Sequence, residues 1–283
     1  MTAGIPFAKG HGTENDFVII PDFEGEYDLT ADQVRAVCDR RAGIGADGIL
    51  RMIPAAKHAE GVAHAATAAW FMDYRNADGS IAEMCGNGAR LFAHFLVTEG
   101  LADSGVIPIA TRDGVKSVEV RGSGGSATLE LQLPTLGSPT TVEVAGRTLA
   151  GRAAYVGNPH VVCVVDVPLS DLDLTAAPVL DAELFPEGGN VELITPPETA
   201  GGQTLRIGMR VYERGSGETR SCGTGAVAAA AVALAVHTGD PGKLSGGEVQ
   251  VNLPGGELIV RLTESAAFLT GPAVIVATGR FYL

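Results

Sequence analysis

The chain has 283 residues, enough for about two domains of ordinary size. Hydrophobic residues make up 46% of it, which is typical of a folded globular protein and argues against disorder. Its 20 Lys and Arg residues against 33 Asp and Glu residues give a net charge of −13, and so acidic a chain repels nucleic-acid phosphates and anionic lipid headgroups, which argues against roles in binding nucleic acid or membranes.

The first predicted helix begins after Thr30. The order Thr-Ala-Asp-Gln fits a capping box, and apolar residues at helical spacing extend the predicted helix over residues 31–41. Residues 43–48 then match the glycine spacing of a dinucleotide-binding loop, but that loop requires a strand before it and a helix after it. Here a helix precedes the glycines and the apolar residues 49–53 follow. We therefore predict the end of a helix leading into a strand, without a cofactor.

The later part of the chain contains both the two-residue period of strands and the 3.6-residue period of helices. Apolar and polar residues alternate at 115–120, 127–133, 205–212, 248–253 and 258–262, which predicts strands. Residues 89–98 and 226–237 have helical spacing, and each segment directly follows a Cys-Gly-x-Gly sequence. The longest apolar run, 226–236, is shorter than the roughly 18 residues that a membrane span needs, so it predicts a buried helix. The fold class is mixed α/β, of the α+β type.

An internal repeat relates the two halves of the chain. Residues 76–89 and 213–226 each run over nine positions from a first polar residue to a cysteine, which is followed by Gly-x-Gly-Ala. A duplication this long predicts two similar domains and not a solenoid. We predict one domain over residues 1–130, with residues 270–283 packing on it, and a second domain over residues 131–269.

The duplicated cysteines, Cys85 and Cys222, point to acid/base chemistry. A sulfur at a helix N-terminus feels the positive end of the helix dipole, which predicts a lowered thiol pKa. The glycines that follow leave backbone N–H groups open to a carboxylate. Two such motifs on opposite sides of an α-carbon would let one thiolate remove its proton while the other thiol delivers one. The pattern predicts a two-base racemase or epimerase.

The other cysteines and cofactor sites have simpler interpretations. Cys38 and Cys163 lie in a predicted helix and a strand-like segment, without glycine neighbours of this kind, so we expect buried, inert thiols.

The sequence contains no CxxC or HExxH motif, so it does not predict a metal site. The four lysines lie outside the repeated motifs, which argues against pyridoxal phosphate. We therefore expect neither metal nor cofactor. The N-terminal residues lack a secretory pattern, so a cytoplasmic location is expected.

Six segments together resemble the diaminopimelate epimerase family: residues 9–16, 75–80, 84–90, 157–160, 189–191 and 213–225. The resemblance implies cofactor-independent conversion of LL-2,6-diaminopimelate to the meso isomer, for lysine and peptidoglycan precursor synthesis. It also implies a homodimer, in which each of two pseudo-symmetric domains wraps a mainly antiparallel sheet around a central helix.

The resemblance assigns roles to individual residues. Cys85 and Cys222 become the acid/base pair, and His160 and Glu213 become residues that modulate the pKa values of these thiols. The implied substrate contacts are Asn15, Asn76, Gly86, Asn87, Asn158, Asn190, Glu213, Arg214, Gly223 and Thr224. In one departure, Gly48 stands where some members place a glutamine, so Asp47 or a backbone group is expected to replace that contact.

Two alternatives remain at this stage. The same fold serves proline racemases and a phenazine-pathway isomerase, so the substrate could be another amino acid. Asn76 and the Glu213–Arg214 pair argue against this, since they suit a second amino-acid head group. A non-catalytic module that binds an amino acid is the other alternative, although binding alone needs neither repeated cysteine.

Overall fold

The computed structural model describes residues 4–122, 124–202 and 204–283, so the first three residues of the N-terminal segment lie outside it. The chain divides into two compact units, Met1–Leu129 with Gly271–Leu283, and Glu130–Thr270. The strands and α-helices, in chain order, are β1 (Ile5–Gly12), β2 (Asn15–Pro21), α1 (Ala31–Cys38), β3 (Gly48–Pro54), β4 (Trp70–Asn76), α2 (Gly86–Thr98), β5 (Gly105–Thr111), β6 (Gly114–Val120), β7 (Ser126–Leu131), β8 (Thr135–Val144), β9 (Arg147–Tyr155), β10 (Pro159–Val164), β11 (Val179–Leu180), β12 (Asn190–Ile194), β13 (Glu198–Gly201), β14 (Thr204–Glu213), β15 (Gly217–Thr219), α3 (Gly223–Thr238), β16 (Glu248–Leu253), β17 (Gly256–Leu262), β18 (Ala267–Pro272) and β19 (Val274–Phe281). Short 3-10 turns lie at Ala55–Lys57, Val62–His64 and Leu169–Asp171.

The first unit wraps one sheet around α2. Its strands follow the order β19-β1-β2-β3-β4-β5-β6-β7, with parallel pairs at β2–β3 and β4–β5 and antiparallel pairs elsewhere. Helix α2 packs against six of these strands, and every residue from Gly86 to Leu96 is buried. Most of these residues are apolar, as expected of a helix that is buried on all sides, and the polar exceptions are Asn87, Arg90 and His94. The start of α2 lies beside the end of β1 and the start of β2, since a Cβ on Gly12 would lie 2.9 Å from the Asn87 carbonyl oxygen and Asn15 contacts Cys85.

The second unit repeats this arrangement around α3. Its strands follow the order β11-β8-β9-β10-β12-β14-β16-β17-β18, while β13 and β15 pair with the two ends of β14. The parallel pairs are β10–β12 and β14–β16. Seven of the sixteen residues of α3 are alanine, so the helix backbone can approach the surrounding strands closely. The mixed, sheet-dominated α+β class is confirmed.

The predicted helices exist, but their ends differ from the sequence prediction. The Thr30 capping box is present, yet α1 ends at Cys38 and not at residue 41. Asp39 is extended, and its carboxylate accepts hydrogen bonds from the N–H groups of Arg41 and Ala42, which turns the chain away from the helix axis. Helices α2 and α3 each begin three residues earlier than predicted, because the Gly-x-Gly residues form the first turn.

The glycine-rich segment 43–48 is the end of a helix leading into a strand, as predicted. The N–H of Gly43 bonds to the carbonyl of Asp39, the N–H of Ala46 bonds to that of Cys38, and β3 begins at Gly48. All five predicted strands are present within a few residues of their expected limits. None of the helices in the described residues is long and apolar enough to span a membrane.

Candidate active site

Cys85 is the N-cap residue of α2. Its backbone is extended, with φ −140° and ψ 123°, and its sulfur accepts the N–H of Gly88 at 3.5 Å. The thiol is half-buried and donates toward Asn15 Oδ1 at 3.6 Å. A thiol is thus held where backbone N–H groups converge, as the repeated Cys-Gly-x-Gly motif predicts.

Asn15 connects this thiol to two further side chains. Its Oδ1 also accepts a hydrogen bond from Asn87 Nδ2 at 3.1 Å, and its Nδ2 donates to Asp47 Oδ2 at 2.8 Å. Arg40 Nη2 lies 2.6 Å from the other Asp47 oxygen and holds that carboxylate in place. The structure therefore brings together Cys85, Asn15 and Asn87, three of the predicted site residues.

Gly48 leaves no room for the glutamine that some relatives of the resembled family carry. A Cβ added there would lie 2.5 Å from the backbone oxygen of Arg75 on the neighbouring strand β4. Asn76, the register partner of Gly48, donates to Ser80 Oγ at 3.0 Å. Asp47 bonds to Asn15 through Oδ2 and to Arg40 through Oδ1, and replacement of the missing contact by Asp47 or a backbone group stays a prediction.

Cys222 is the N-cap residue of α3 and is buried. Its sulfur accepts the N–H of Gly225 at 3.4 Å and lies 3.6 Å from Thr224 Oγ1. Burial, and then the nearby carboxylates of Glu213 and Glu192, raise the pKa of Cys222 well above that of an ordinary thiol. The predicted lowering of this pKa is wrong, because desolvation and two carboxylates outweigh the helix N-terminus.

Glu192, which was not predicted from the sequence, acts electrostatically on Cys222. It is fully buried on β12, and its Oε1 lies 2.7 Å from His160 Nδ1, whose Nε2 lies 3.0 Å from Asn158 Oδ1. Its Oε2 has no hydrogen-bond partner among the described residues. A Cβ on Gly225 would lie 2.5 Å from Glu192 Oε1, so the glycine makes room for this carboxylate. The sequence feature that could have indicated this residue is a single charged side chain within the mainly apolar segment 190–194.

Glu213 and Asn190 complete the second cluster. Glu213 Oε1 accepts a hydrogen bond from Thr219, and Glu213 also bonds to Cys222. Burial and the charge of Glu192 raise the pKa of Glu213. Asn190 Oδ1 accepts the N–H of Arg214 at 2.9 Å, while the Arg214 guanidinium donates to the carbonyl of Glu187 at 3.1 Å.

The remaining cysteines lie outside both clusters. Burial raises the pKa of Cys38 to about 11 and that of Cys163 to about 12, so both stay protonated at neutral pH. Cys163 packs in the core of the second unit with Val161 and Leu193. Across residues 4–122, 124–202 and 204–283, no three His, Cys, Asp or Glu side chains group as a metal site would require.

Comparison with known proteins decides the family. The model of the diaminopimelate epimerase family matches residues 7–135 and 152–276. The chain belongs to the diaminopimelate epimerase family. Similar curated proteins include the diaminopimelate epimerase of Corynebacterium glutamicum, 49% identical over 99% of both chains, and that of Thermobifida fusca, 50% identical over 96% of both chains.

Solved structures share the fold at low sequence identity. A phenazine biosynthesis protein of the PhzF family from Bacillus anthracis aligns with a TM-score of 0.69 at 16% identity over all of both chains. A hydroxyproline epimerase from Agrobacterium vitis aligns with a TM-score of 0.66 at 13% identity, over 100% of this chain and 93% of that one. These likenesses extend to the fold alone.

Proposed function

We propose that Cys85 and Cys222 are the acid and base with which this chain, as a diaminopimelate epimerase, converts LL- to meso-diaminopimelate. The observation that carries the proposal is that each sulfur caps the buried central helix of its own unit, in a matching Gly-x-Gly setting. Cys38 and Cys163 have no such setting, and burial raises the pKa of both.

The proposed reaction moves two protons at one carbon. A thiolate removes the α-proton, and the electron pair of the broken C–H bond passes into the adjacent carboxylate system. The other thiol then donates its proton to the opposite face, which inverts the stereocentre and leaves the two cysteines with exchanged protonation states. The raised pKa of Cys222 supports a role as the thiol that donates a proton to the carbanion.

The reacting carboxylate is proposed to bind at the two helix N-termini. Gly88 and Gly225 direct their N–H groups at the cysteine sulfurs. The first two N–H groups of each helix, from Gly86 and Asn87 and from Gly223 and Thr224, are then the donors proposed for the carboxylate. Negative charge that develops on this carboxylate during proton removal is stabilised by the same donors.

The other polar groups of the substrate are assigned to the remaining site residues. Asn158 and Asn190 engage their Oδ1 atoms with His160 and Arg214, so their Nδ2 groups are the ends offered to a carboxylate. Arg214 suits a carboxylate and Glu213 an ammonium group. Asn15 and Asn76 are the proposed contacts from the first unit. His160 and Glu213 are proposed to modulate proton transfer at Cys222.

Isotope exchange tests this proposal directly. The purified, reduced protein is incubated with LL-diaminopimelate in deuterium oxide, without added cofactor, and followed by proton NMR and chiral chromatography. We expect deuterium at one α-carbon as the meso isomer accumulates. A parallel incubation with L-proline should show no exchange. Absence of exchange with diaminopimelate, or equal exchange with proline, contradicts the proposal.

We also infer a cytoplasmic homodimer from the resemblance to the family. The four cysteines are unpaired, which suits a reducing compartment. Light scattering during size-exclusion chromatography should give twice the mass of one chain. The mass of a single chain at micromolar concentration would contradict the dimer.

A further inference from the structure

Arg90 is an unusual buried cation near Cys85. It lies on α2, five residues after that cysteine, and its side chain is fully buried. Its Nη2 donates to Asn87 Oδ1 at 2.8 Å and to Thr13 Oγ1 at 3.0 Å. Its Nε and Nη1 have no hydrogen-bond partner in the described part of the chain. A guanidinium with only neutral partners keeps an uncompensated positive charge.

The charged groups on the elements around α2 are engaged elsewhere. Arg51, the other large buried cation of this unit, is bonded to Asp22 at 2.8 Å. The remaining pairs or contacts are Lys9 with Asp16, Arg40 with Asp16 and Asp47, Lys116 with Asp113, Glu119 with Arg121, Arg280 with the carbonyl of Gly4, and His11 with the N–H of Glu14. Among the described ion pairs, none includes Arg90. Burial lowers the pKa of Arg90 to about 10, and Cys85 is the charged group that opposes this shift.

Arg90 also sets the direction of a hydrogen-bond chain that ends at the thiol. A guanidinium can only donate, so Asn87 must turn its Oδ1 toward Arg90 and its Nδ2 toward Asn15. At the other end the Asp47 carboxylate can only accept, so Asn15 must turn its Nδ2 toward Asp47. Both amides are thereby oriented without ambiguity. Asn15 consequently presents its Oδ1 to Cys85.

The second unit lacks this arrangement. The residue five positions after Cys222 is Val227, which is apolar and buried. Carboxylates from Glu192 and Glu213 act on Cys222 instead. Opposite charges thus act on the two sulfurs, a cation in the first unit and anions in the second.

We propose that Arg90 is a positioning residue for Cys85: it supplies a buried positive charge that stabilises the thiolate, and by orienting Asn87 and Asn15 it fixes the acceptor of the S–H in the neutral thiol. This inference rests on the proposed acid/base role of Cys85. Ionisation of Cys85 gives the guanidinium the anion that it otherwise lacks, so thiolate and cation stabilise each other. Arg90 touches no reacting atom in this proposal and acts through its neighbours.

Alkylation of Cys85 as a function of pH tests the proposal, because only the thiolate reacts with iodoacetamide. The rate is read from the Cys85 peptide by mass spectrometry and scaled to its high-pH plateau. Replacing Arg90 with Met should slow alkylation at pH 7 about tenfold, since losing a close opposite charge raises a thiol pKa by about one unit or more. Arg90→Lys keeps a donor-only cation and should stay within about threefold of the parent.

Arg51→Met is the matched control, because it removes a buried arginine whose charge is already paired. It should lower stability and leave the Cys85 profile unchanged. In the active enzyme, the acid limb of kcat/KM for Arg90→Met should move to higher pH together with the alkylation profile. An unchanged Cys85 profile in folded Arg90→Met overturns the proposal.

The parent protein provides a test that does not depend on a folded variant. Cys85 should have an alkylation midpoint below the ordinary thiol value of about 8.5 and below the midpoint of Cys222. A midpoint for Cys85 at or above that value overturns the proposal. The alkylation rates do not depend on turnover, so they test this proposal separately from the acid/base assignment. An active Cys85→Ser enzyme would contradict the proposed function, while the alkylation result for Cys85 in the parent protein would still stand.

Discussion

At the scale of single residues, serine substitutions separate the four cysteines into two classes. Cys85→Ser and Cys222→Ser should each reduce epimerisation at least about 100-fold, because a hydroxyl is a far poorer base than a thiolate. Chiral analysis of product formation measures the loss. Either variant retaining turnover close to that of the parent would contradict a two-base mechanism.

Cys38→Ser and Cys163→Ser are the controls for this pair. Both side chains are buried, so a cost of about 1–3 kcal/mol in the free energy of unfolding is expected. Turnover per folded molecule should not change, since each thiol stays protonated at neutral pH.

Glu192 gives a second prediction at this scale. Replacing it with Gln keeps an oxygen for His160 and removes one negative charge near Cys222. The pKa of Cys222 should fall toward the ordinary thiol value, which moves the pH profile of Cys222 alkylation to lower pH. Glu218→Gln is a control, because Glu218 pairs with Arg210 and is not among the groups that act on Cys222. An unchanged profile, or a shift to higher pH, would show that the Glu192 charge does not raise the pKa of this thiol.

At the scale of secondary-structure elements, Gly48 determines how closely β3 and β4 approach. Gly48→Ala would force a Cβ to within 2.5 Å of the Arg75 backbone oxygen, so we expect a loss of about 1–3 kcal/mol in unfolding free energy, measured in urea. Gly124→Ala is the control, since a Cβ there meets nothing within 4 Å. Equal stability of the two variants would mean that the strands separate at little cost.

The sequence predicted the elements whose side chains alternate between buried and exposed environments. Strands β16 and β17 bury every second residue, and their limits were predicted closely. Strand β8 was missed because seven of its first eight positions are at least partly exposed and it contains both Gly137 and Pro139. The predicted end of α1 was too late, because Arg40 and Arg41 suit a helix while the bonds made by Asp39 end it.

The candidate site was predictable where residues recur in a motif. The cysteines and the Asn residues stand in distinctive segments, and the structure places Asn15 and Asn87 beside Cys85. Glu192 has no such context, since its role depends on β10 and β12 pairing so that His160 meets it. The pKa of Cys222 also depends on burial and on long-range neighbours, which the sequence order does not reveal.

At the scale of the whole molecule, buried ion pairs should make stability sensitive to acid. Hydrogen bonds from Arg40 and Lys9 outweigh burial and lower the pKa of Asp16 to about 2, and Arg112 and Arg75 likewise lower the pKa of Asp73. A carboxyl whose pKa is lower in the folded state adds stability above its unfolded value, near 3.8, and loses it as the pH falls toward the folded value.

The melting temperature should therefore drop as the pH falls from about 5 to 2, within the window set by these pKa shifts. Asp16→Asn should lower the melting temperature at pH 6 and weaken this pH dependence. Asp113→Asn, which removes the exposed partner of Lys116, should do neither. If Asp16→Asn leaves the acid profile of the parent unchanged, the Asp16 pairs do not contribute to stability.

Both sulfurs that are proposed to react lie at helix N-caps, so thermal stability and catalytic turnover favour different residues at these two positions. Serine is among the preferred N-cap residues, and cysteine is not. The Cys85→Ser and Cys222→Ser variants should accordingly have melting temperatures at least as high as that of the parent, although they are expected to lose activity. Selection for thermal stability alone would favour serine at both positions, at the expense of the acid/base function proposed for the cysteines. We infer that the weaker cap is kept at both helices because the sulfur at each helix N-terminus is also the atom proposed to move the proton.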